Sequence, residues 1–287
     1  MPLKPEVLLG LPFDEIVQAY TADDAIRYAL SIGIGMDPVD PAQLRYVYEI
    51  ADLKAFPTMA AVLACPPPWS ARPETGVNRT KLVHGEQRIV FHAPLPPAGK
   101  VRSRERIAGV YDKGAERGAI VATERQVFDD ATGQLLATLQ AKIFCRADGG
   151  FGGSDVPAAK ERPIPDTPPL HTVDLQTFPQ QALLYRLNYD RNPLHADPAV
   201  ATAAGFPRPI LHGLATWALA AYGIVKSVLN GDADRLREFE VRFSQPVLPG
   251  ETVTLEVWVE GPDVQFRGFV RARDAKVLDR GYARISE

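Results

Sequence analysis

The sequence predicts an α+β protein built from two related halves, in each of which an antiparallel sheet curls around a central helix. Three observations lead to this fold class. A Gly- and Pro-rich stretch at 147–170 lacks apolar periodicity and divides the 287-residue chain into parts of similar size. One long helix in the second part is apolar around most of its circumference, and several strands follow it. A strand-turn-strand pattern of the second part also occurs in the first.

The second part contains the clearest elements. Asp197-Pro198 forms a helix N-cap followed by proline at the first helical position, and Gly205 ends this short helix. A longer helix is predicted over 213–231, "GLATWALAAYGIVKSVLNG", with Asn-Gly as its stop. Apolar alternation then predicts strands in "FEVRFSQPVLPG", "ETVTLEVWVE", "VQFRGFVRAR" and "KVLDRGYARI". Because the long helix is apolar nearly all round, we expect the sheet to enclose it.

The first part repeats this pattern with a shorter helix. "FHAPLPPAGKV" at 91–101 resembles "FSQPVLPGETV" at 243–253, since both contain a strand, a Pro-rich turn and a second strand. Further strands are predicted in "VRSRERIAGVYDKG", "AIVATERQVFDD" and "LLATLQAKIFCRA". The only candidate for a central helix is "FPTMAAVLA" at 56–64, which a triple proline ends. These observations favour two related halves, of which the first has lost most of its central helix.

Composition and charge exclude several classes of protein. A formal net charge of −3 gives no basic excess that would suggest binding to nucleic acid. Cys65 and Cys145 are predicted to be buried free thiols, and five His with two Cys are too scattered for a metal cluster. The N-terminal segment lacks the apolar core of a signal peptide, no run reaches membrane-spanning length, and "ARISE" at the C-terminus is not a peroxisomal address. We therefore expect a cytoplasmic protein with neither a nucleic-acid nor a membrane partner.

The segment "YRLNYDRNPLHADP" at 185–198 carries the strongest chemical signal. It places Asp190, Asn192 and His195 within six residues, and Pro193 fixes the backbone between them. A polar loop explains such residues equally well, because Asp and Asn side chains bond to nearby backbone. However, Gly213 follows in "RPILHGL" at the start of the buried helix, where free N–H groups stabilise an anionic oxygen. An acid, a base and an oxyanion donor together suggest chemistry beside a carbonyl group.

The same segment, with "AAGFPRPILHGLAT", resembles the hydratase-2 motif of the (R)-specific, MaoC-like enoyl-CoA hydratases. The segments "VHGEQRIVFHAPLPPAGKV", "VYDKGA", "GGFGG", "QALLYRL" and "VRFSQPVLPGETV" extend the resemblance to the eukaryotic type of this family. It implies a double hot-dog fold, with an N-terminal acyl- and CoA-binding domain at 1–147, a linker at 148–169 and a catalytic domain at 170–287. The shortened helix of the first domain then leaves room for a long or bulky acyl group.

The resemblance also implies roles for individual residues. The catalytic pair corresponds to Asp190 and His195, with Asn192 supporting the loop, and the oxyanion glycine corresponds to Gly213. The resemblance implies that four residues contact the CoA thioester: His84, Gly85, Lys113 and Phe243. Ordinary alternatives exist for three of these contacts: a core histidine for His84, a solvated turn residue for Lys113 and sheet core for Phe243.

Two residues depart from the family motif, in which a small pair such as Ser-Gly precedes the aspartate. Here Asn188 and Tyr189 occupy these positions. Because tyrosine replaces glycine, we expect different backbone angles in the loop and a narrowed or reshaped acyl pocket. Tyr189 is therefore included among the substrate-contacting residues.

The activity implied by the resemblance is reversible addition of water to a trans-2-enoyl-CoA, giving the (R)-3-hydroxyacyl-CoA, in fatty-acid or sterol side-chain metabolism. The acyl group can be straight, branched or steroidal, and neither Asp190 nor His195 is singled out as the base. No metal or redox cofactor is expected. One chain supplies a pair of hot-dog domains, and the resemblance implies a homodimer because relatives commonly dimerise again. Two alternatives stay open: a hot-dog acyl-CoA thioesterase, and a non-catalytic acyl-CoA binder.

Overall fold

The computed structural model describes residues 3–50, 52–153 and 162–286, so part of the predicted linker at 148–169 lies outside the described residues. The first half contains the following elements: α1 (Pro5–Leu9), β1 (Ile16–Tyr20), α2 (Ala22–Ser31), α3 (Pro41–Val47), β2 (Leu82–Phe91), β3 (Gly99–Asp112), β4 (Ala119–Asp129) and β5 (Leu135–Cys145). The second half contains the following elements: β6 (His171–Gln176), α4 (Gln181–Tyr185), α5 (Pro198–Ala203), α6 (Gly213–Val228), β7 (Leu236–Phe243), β8 (Thr252–Glu260), β9 (Asp263–Val270) and β10 (Ala275–Ile285).

The ten strands of the described residues form one antiparallel sheet in the order β1-β3-β4-β5-β2-β7-β10-β9-β8-β6. From the outer edge to the centre, the first half has the order 1-3-4-5-2 and the second half has 6-8-9-10-7. The two orders are the same when five is added to each number of the first. The halves join where β2 pairs with β7, with Ile89 opposite Phe239. The repeat of strand order supports the predicted relation between the two halves.

Helix α6 is the centre of the second half, as its apolar sequence predicts. It begins at Gly213 and ends at Val228, slightly before the predicted stop, and Gly231 takes the left-handed conformation that follows many helices. Trp217 and Leu219, on different faces of the helix, are almost completely buried. The core around α6 contains residues of both halves, so the sheet encloses the helix as expected.

The helical content of the first half differs from the prediction. The segment predicted as a short central helix is buried, but it forms a 3₁₀ turn over Pro57–Ala61 rather than an α-helix. The buried Arg125 side chain donates hydrogen bonds to carbonyl oxygens of Ala61 and Leu63, which the short turn leaves without helical partners. Helix α2 was not predicted, although Thr21 caps it in a reciprocal capping box with Asp24.

The two cysteines are free, as predicted, but only one of them is buried. Cys145 lies in the smaller apolar cluster of the first half, whereas Cys65 is exposed, so its predicted burial was wrong. Cys65 lies four residues after the end of the 3₁₀ turn and directly precedes the triple proline, which cannot continue a helix. In the described part of the chain, no helix is long and apolar enough to cross a membrane.

Candidate active site

The predicted catalytic loop connects α4 to α5 and is organised by its own side chains. Asp190 Oδ1 accepts a hydrogen bond from the Asn192 N–H at 3.3 Å, and Asn192 Oδ1 accepts one from the Leu194 N–H at 3.1 Å. Asn192 thereby caps a 3₁₀ turn over Pro193–His195, which turns the imidazole of His195 into the protein. The polar-loop explanation is thus correct for part of this segment, and the same bonds position its two ionisable groups.

His195 is held in one tautomer. Its Nδ1 lies 2.9 Å from the carbonyl oxygen of Ile210, and because a carbonyl only accepts hydrogen bonds, Nδ1 carries the proton. Nε2 of the neutral ring is then an acceptor. The side chain is buried, and this burial lowers the pKa of His195 below its ordinary value. His195 is therefore suited to accept a proton through Nε2.

A second histidine, His212, was missed in the sequence. It precedes Gly213 at the N-terminus of α6, and its ring stacks on that of His195 with centroids 3.8 Å apart and 26° between the planes. Nε2 of His212 lies 3.3 Å from the backbone oxygen of Asp190 and donates to it. Burial and the neighbouring His195 lower the pKa of His212 to about 4. A histidine directly before a predicted oxyanion glycine was the signal available in the sequence.

Asp190, His195 and His212 each place one side-chain N or O atom within 4.8 Å of the others. Two hydrogen bonds of about 2.8 Å that meet at a tetrahedral oxygen span about 4.6 Å, so a single water can bridge such a pair. A shared metal ion fits less well, because stacked imidazoles direct their lone pairs along nearly parallel planes rather than to one point about 2.1 Å from both. The three side chains are therefore better arranged to form hydrogen bonds to a small molecule such as water than to bind a shared metal ion.

Gly213 provides the expected helix terminus beside this cluster. The N–H groups of Ala215 and Thr216 both bond to the His212 carbonyl, which leaves the N–H groups of Gly213 and Leu214 without a partner inside the helix. The ring of Phe243 covers Gly213, at 3.6 Å from the position that a Cβ would take. A ligand oxygen at Gly213 would therefore lie between the helix terminus and an aromatic ring.

The predicted CoA contacts of the first half continue from Phe243 as one row. His84 meets the ring of Phe243 edge-on, with centroids 5.1 Å apart. The next residue, Gly85, is buried against the ring of Phe144. On the other side, Nζ of Lys113 lies 5.3 Å from the centroid of Phe144. The structure thus brings all four predicted contacts together across the β2–β7 junction, and Phe144 was missed.

His84 has an unusual environment for a strand residue. Burial lowers its pKa to about 4, while Gln87, Glu86 and the charge of Asp190 act in the opposite direction. Its Nε2 is buried and has no hydrogen-bond partner among the described residues. A buried ring nitrogen without a partner is unfavourable unless a ligand or water completes it. This polar atom distinguishes His84 from an ordinary core histidine.

Tyr189 has an uncommon backbone conformation for a residue with a side chain. Its φ of +74° lies in the left-handed region that glycine adopts readily and other residues rarely do. The tyrosine therefore takes a conformation that glycine would adopt without steric cost. Its side chain is 56% exposed and lies away from the protein interior.

Comparison with known families assigns both halves of the chain. Residues 18–147 match the model of the MFE-2 hydratase 2 N-terminal domain, and residues 160–278 match the MaoC-like domain. An enoyl-CoA hydratase of Mycobacterium tuberculosis is 38% identical over 98% of both chains. The peroxisomal enoyl-CoA hydratase 2 of Arabidopsis thaliana is 37% identical over 98% of this chain and 94% of that one.

Solved structures agree with these matches. A MaoC-like dehydratase from Phytophthora capsici superposes with a TM-score of 0.88 at 31% identity, covering 99% of this chain and 98% of that chain. A Mycobacterium tuberculosis protein described as a double hotdog fold has a TM-score of 0.57 at 12% identity and covers 96% of each chain, which supports the fold alone. The predicted double hot-dog fold is confirmed, and the chain belongs to the MaoC-like dehydratases that carry an MFE-2 hydratase 2 N-terminal domain.

Proposed function

We propose that the chain is an (R)-specific 2-enoyl-CoA hydratase, which adds water reversibly to a trans-2-enoyl-CoA to give the (R)-3-hydroxyacyl-CoA. The observation that carries the proposal is that Asp190 and His195 each place a side-chain N or O atom within 4.8 Å of the other, which allows one water to bridge them beside the N-terminus of α6. Relatives at 37–38% identity over nearly the whole chain are named enoyl-CoA hydratases, which supports the same reaction.

In the proposed reaction, the Asp190 carboxylate and His195 Nε2 hold the water by hydrogen bonds. His195 accepts one proton as the water oxygen forms a bond to C3, and the electrons of the double bond move toward the thioester oxygen. The Gly213 N–H donates to the negative charge that develops there, and loss of one such donor costs about 10²–10³ in rate in other enzymes. C2 then takes a proton from the Asp190–His195 pair, which restores both groups. The addition leaves the net oxidation state of the substrate unchanged, so the proposal includes no redox cofactor. It includes no metal ion either, because the Gly213 N–H is proposed to stabilise the developing negative charge.

His212 is proposed to position this pair. Its ring limits the orientation of the His195 imidazole through the stack, and its Nε2–H fixes the backbone of Asp190. The CoA part of the substrate would follow the row formed by Phe243, His84, Gly85 and Lys113 across the junction. The ammonium of Lys113 suits a phosphate of the carrier.

The test is the loss of conjugated-enoyl absorbance from crotonyl-CoA, a medium-chain enoyl-CoA and a sterol side-chain enoyl-CoA, with chiral analysis of the product. Asp190→Asn and His195→Gln should each lower kcat by at least about 100-fold, as expected for positioned proton transfer. Asp197→Ser is the matched control, because serine also caps α5 and Asp197 bonds only to that helix among its described side-chain contacts. Near-parental turnover in either catalytic variant would contradict the assignment.

The same assay separates the two alternatives. A thioesterase releases free CoA thiol, which a thiol reagent detects, whereas a non-catalytic binder retains enoyl-CoA without altering its absorbance. Comparison of kcat/KM among the three substrates ranks straight-chain and steroidal acyl groups. Formation of the (R)-alcohol without thiol release is the expected result.

The proposal further includes a homodimer, because two-domain relatives commonly dimerise again. It also includes a cytoplasmic location, with which the free thiols of Cys65 and Cys145 agree. Light scattering of the purified chain should give about twice 31.4 kDa. A monomeric mass at assay concentration would contradict the dimer and leave the proposed reaction unaffected.

A further inference from the structure

A buried hydrogen bond ties the catalytic loop to the other half of the protein. Asn188 Nδ2 donates to Ser31 Oγ at 2.8 Å, and both side chains are almost completely buried. Ser31 is the last residue of α2 and lies 157 positions from Asn188 in the sequence. The contact therefore joins the loop that carries Asp190 to the half that carries His84 and Lys113.

Ser31 is itself fixed in place by two further bonds. Its hydroxyl donates to the carbonyl of Tyr28 at 2.7 Å, and its own carbonyl accepts a hydrogen bond from Gln181 Nε2 at 3.1 Å. The hydroxyl thus uses its single proton within α2 and accepts from Asn188. Because every member of this group is buried, water cannot replace the bond without opening the contact between α2 and α4.

Tyr189 lies between two anchored neighbours. Asn188 is held by Ser31 on one side, and the backbone oxygen of Asp190 is held by His212 on the other. The left-handed φ of +74° at Tyr189 is unfavourable for a residue with a side chain. Since the tyrosine side chain is mostly exposed, its own packing does not compensate for this conformation.

We propose that the hydrogen bond from Asn188 to Ser31 holds Tyr189 in its left-handed conformation and so positions Asp190 against His195. This inference rests on the proposed hydratase function and adds a positioning residue to it. Among the described side-chain hydrogen bonds, Asn188 makes none to a group assigned to the reaction, so it would act through the backbone of the next two residues. With glycine in place of Tyr189, the same backbone would need little support, so the contribution of Asn188 depends on the residue that follows it.

A double-mutant cycle tests this dependence. Asn188→Ala should lower kcat about 5- to 10-fold, as expected for loss of one buried hydrogen bond, with KM changing less than about twofold. In the Tyr189→Gly background the same change should lower kcat by less than about twofold, because glycine reaches the left-handed conformation without steric cost. Ser31→Ala should reproduce the loss, and the Ser31→Ala/Asn188→Ala pair should be no worse than either single variant.

Gln43→Ala is the control for a general loss of stability. Gln43 is a buried amide of the first half that bonds to the Gly35 N–H and to Asp40, and it has no side-chain bond to the catalytic loop among the described contacts. It should lower the melting temperature without lowering kcat at 25 °C. Equal effects of Asn188→Ala in both backgrounds, or parental kcat in Asn188→Ala, would overturn the proposal.

Hydrogen exchange separates this inference from the proposed reaction. Asn188→Ala should speed exchange at the Asn192 and Leu194 amides, which bond within the catalytic loop, whether or not the protein hydrates enoyl-CoA. An inactive parent with faster exchange in the variant would refute the hydratase and retain the positioning role. An active parent whose Asn188→Ala variant shows unchanged exchange and unchanged kcat would support the hydratase and refute the positioning role of Asn188.

Discussion

Substitution of Gly85 tests both the packing of this residue and its predicted contact with the substrate. It lies at a bulge of β2, between His84 and Glu86, and an added Cβ would lie 2.0 Å from Cε2 and 2.2 Å from Cδ2 of Phe144. Non-bonded carbon atoms prefer a separation of about 3.5–4.0 Å, so the ring or the strand must move by about 1.5 Å in Gly85→Ala.

The expected cost follows from these contacts. Overpacking of this kind costs about 1–3 kcal/mol. Phe144 is only half-buried, so its ring can tilt outward and relieve part of the overlap. The tilt also weakens the contact with the Lys113 ammonium, which contributes about 0.5–1 kcal/mol in comparable cases. We expect Gly85→Ala to lower the free energy of unfolding by about 2 kcal/mol.

Urea unfolding with an unchanged m-value measures this loss. Phe144→Leu removes the clashing ring carbons, so Gly85→Ala should cost less than about 0.5 kcal/mol in that background. A cost that is absent, or that is the same in both backgrounds, would refute the packing argument. The KM for enoyl-CoA of the Gly85→Ala/Phe144→Leu double variant is then compared with that of Phe144→Leu. A raised KM would support the thioester contact of Gly85, and an unchanged KM would exclude it.

Two further predictions concern groups that the sequence did not reveal. Because burial lowers the pKa of His212 to about 4, the unfolded chain protonates this group near pH 6.5 while the folded chain does not. The free energy of unfolding should therefore decrease as pH falls from 6.5 to 4, and His212 should contribute at most about 3 kcal/mol of this loss. Urea unfolding at each pH should show a weaker pH dependence of stability in His212→Gln. An equal pH dependence in both proteins would contradict the lowered pKa of His212. Arg125→Met should lower the free energy of unfolding by about 3 kcal/mol, because it leaves the carbonyl oxygens of Ala61 and Leu63 with only the weak thiol donor of Cys65. A loss below about 1 kcal/mol would show that water replaces the guanidinium.

The central helix and the strands were predictable because their periodicity lies within short stretches of sequence. Helix α6 was predicted at its first residue, Gly213, and the strands of the second half follow the alternation in their segments. The first half was harder, since its 3₁₀ turn at Pro57–Ala61 is stabilised by Arg125 from a distant strand rather than by its own pattern. Helix α2 carried a readable capping box at Thr21 that the prediction did not use.

By itself the sequence determined the division into two halves, the central helix and the positions of Asp190, His195 and Gly213, because spacing within a loop and at a helix start is a local property. Only the tertiary structure placed His212 on His195, Phe144 against Gly85, and Asn188 on Ser31. These contacts join residues that come together only when the chain packs. Because apolar burial is non-directional, the sequence does not specify which side chains will meet. The candidate catalytic residues could therefore be predicted from one segment and the helix start that follows it, whereas the contacts that support them come from both halves.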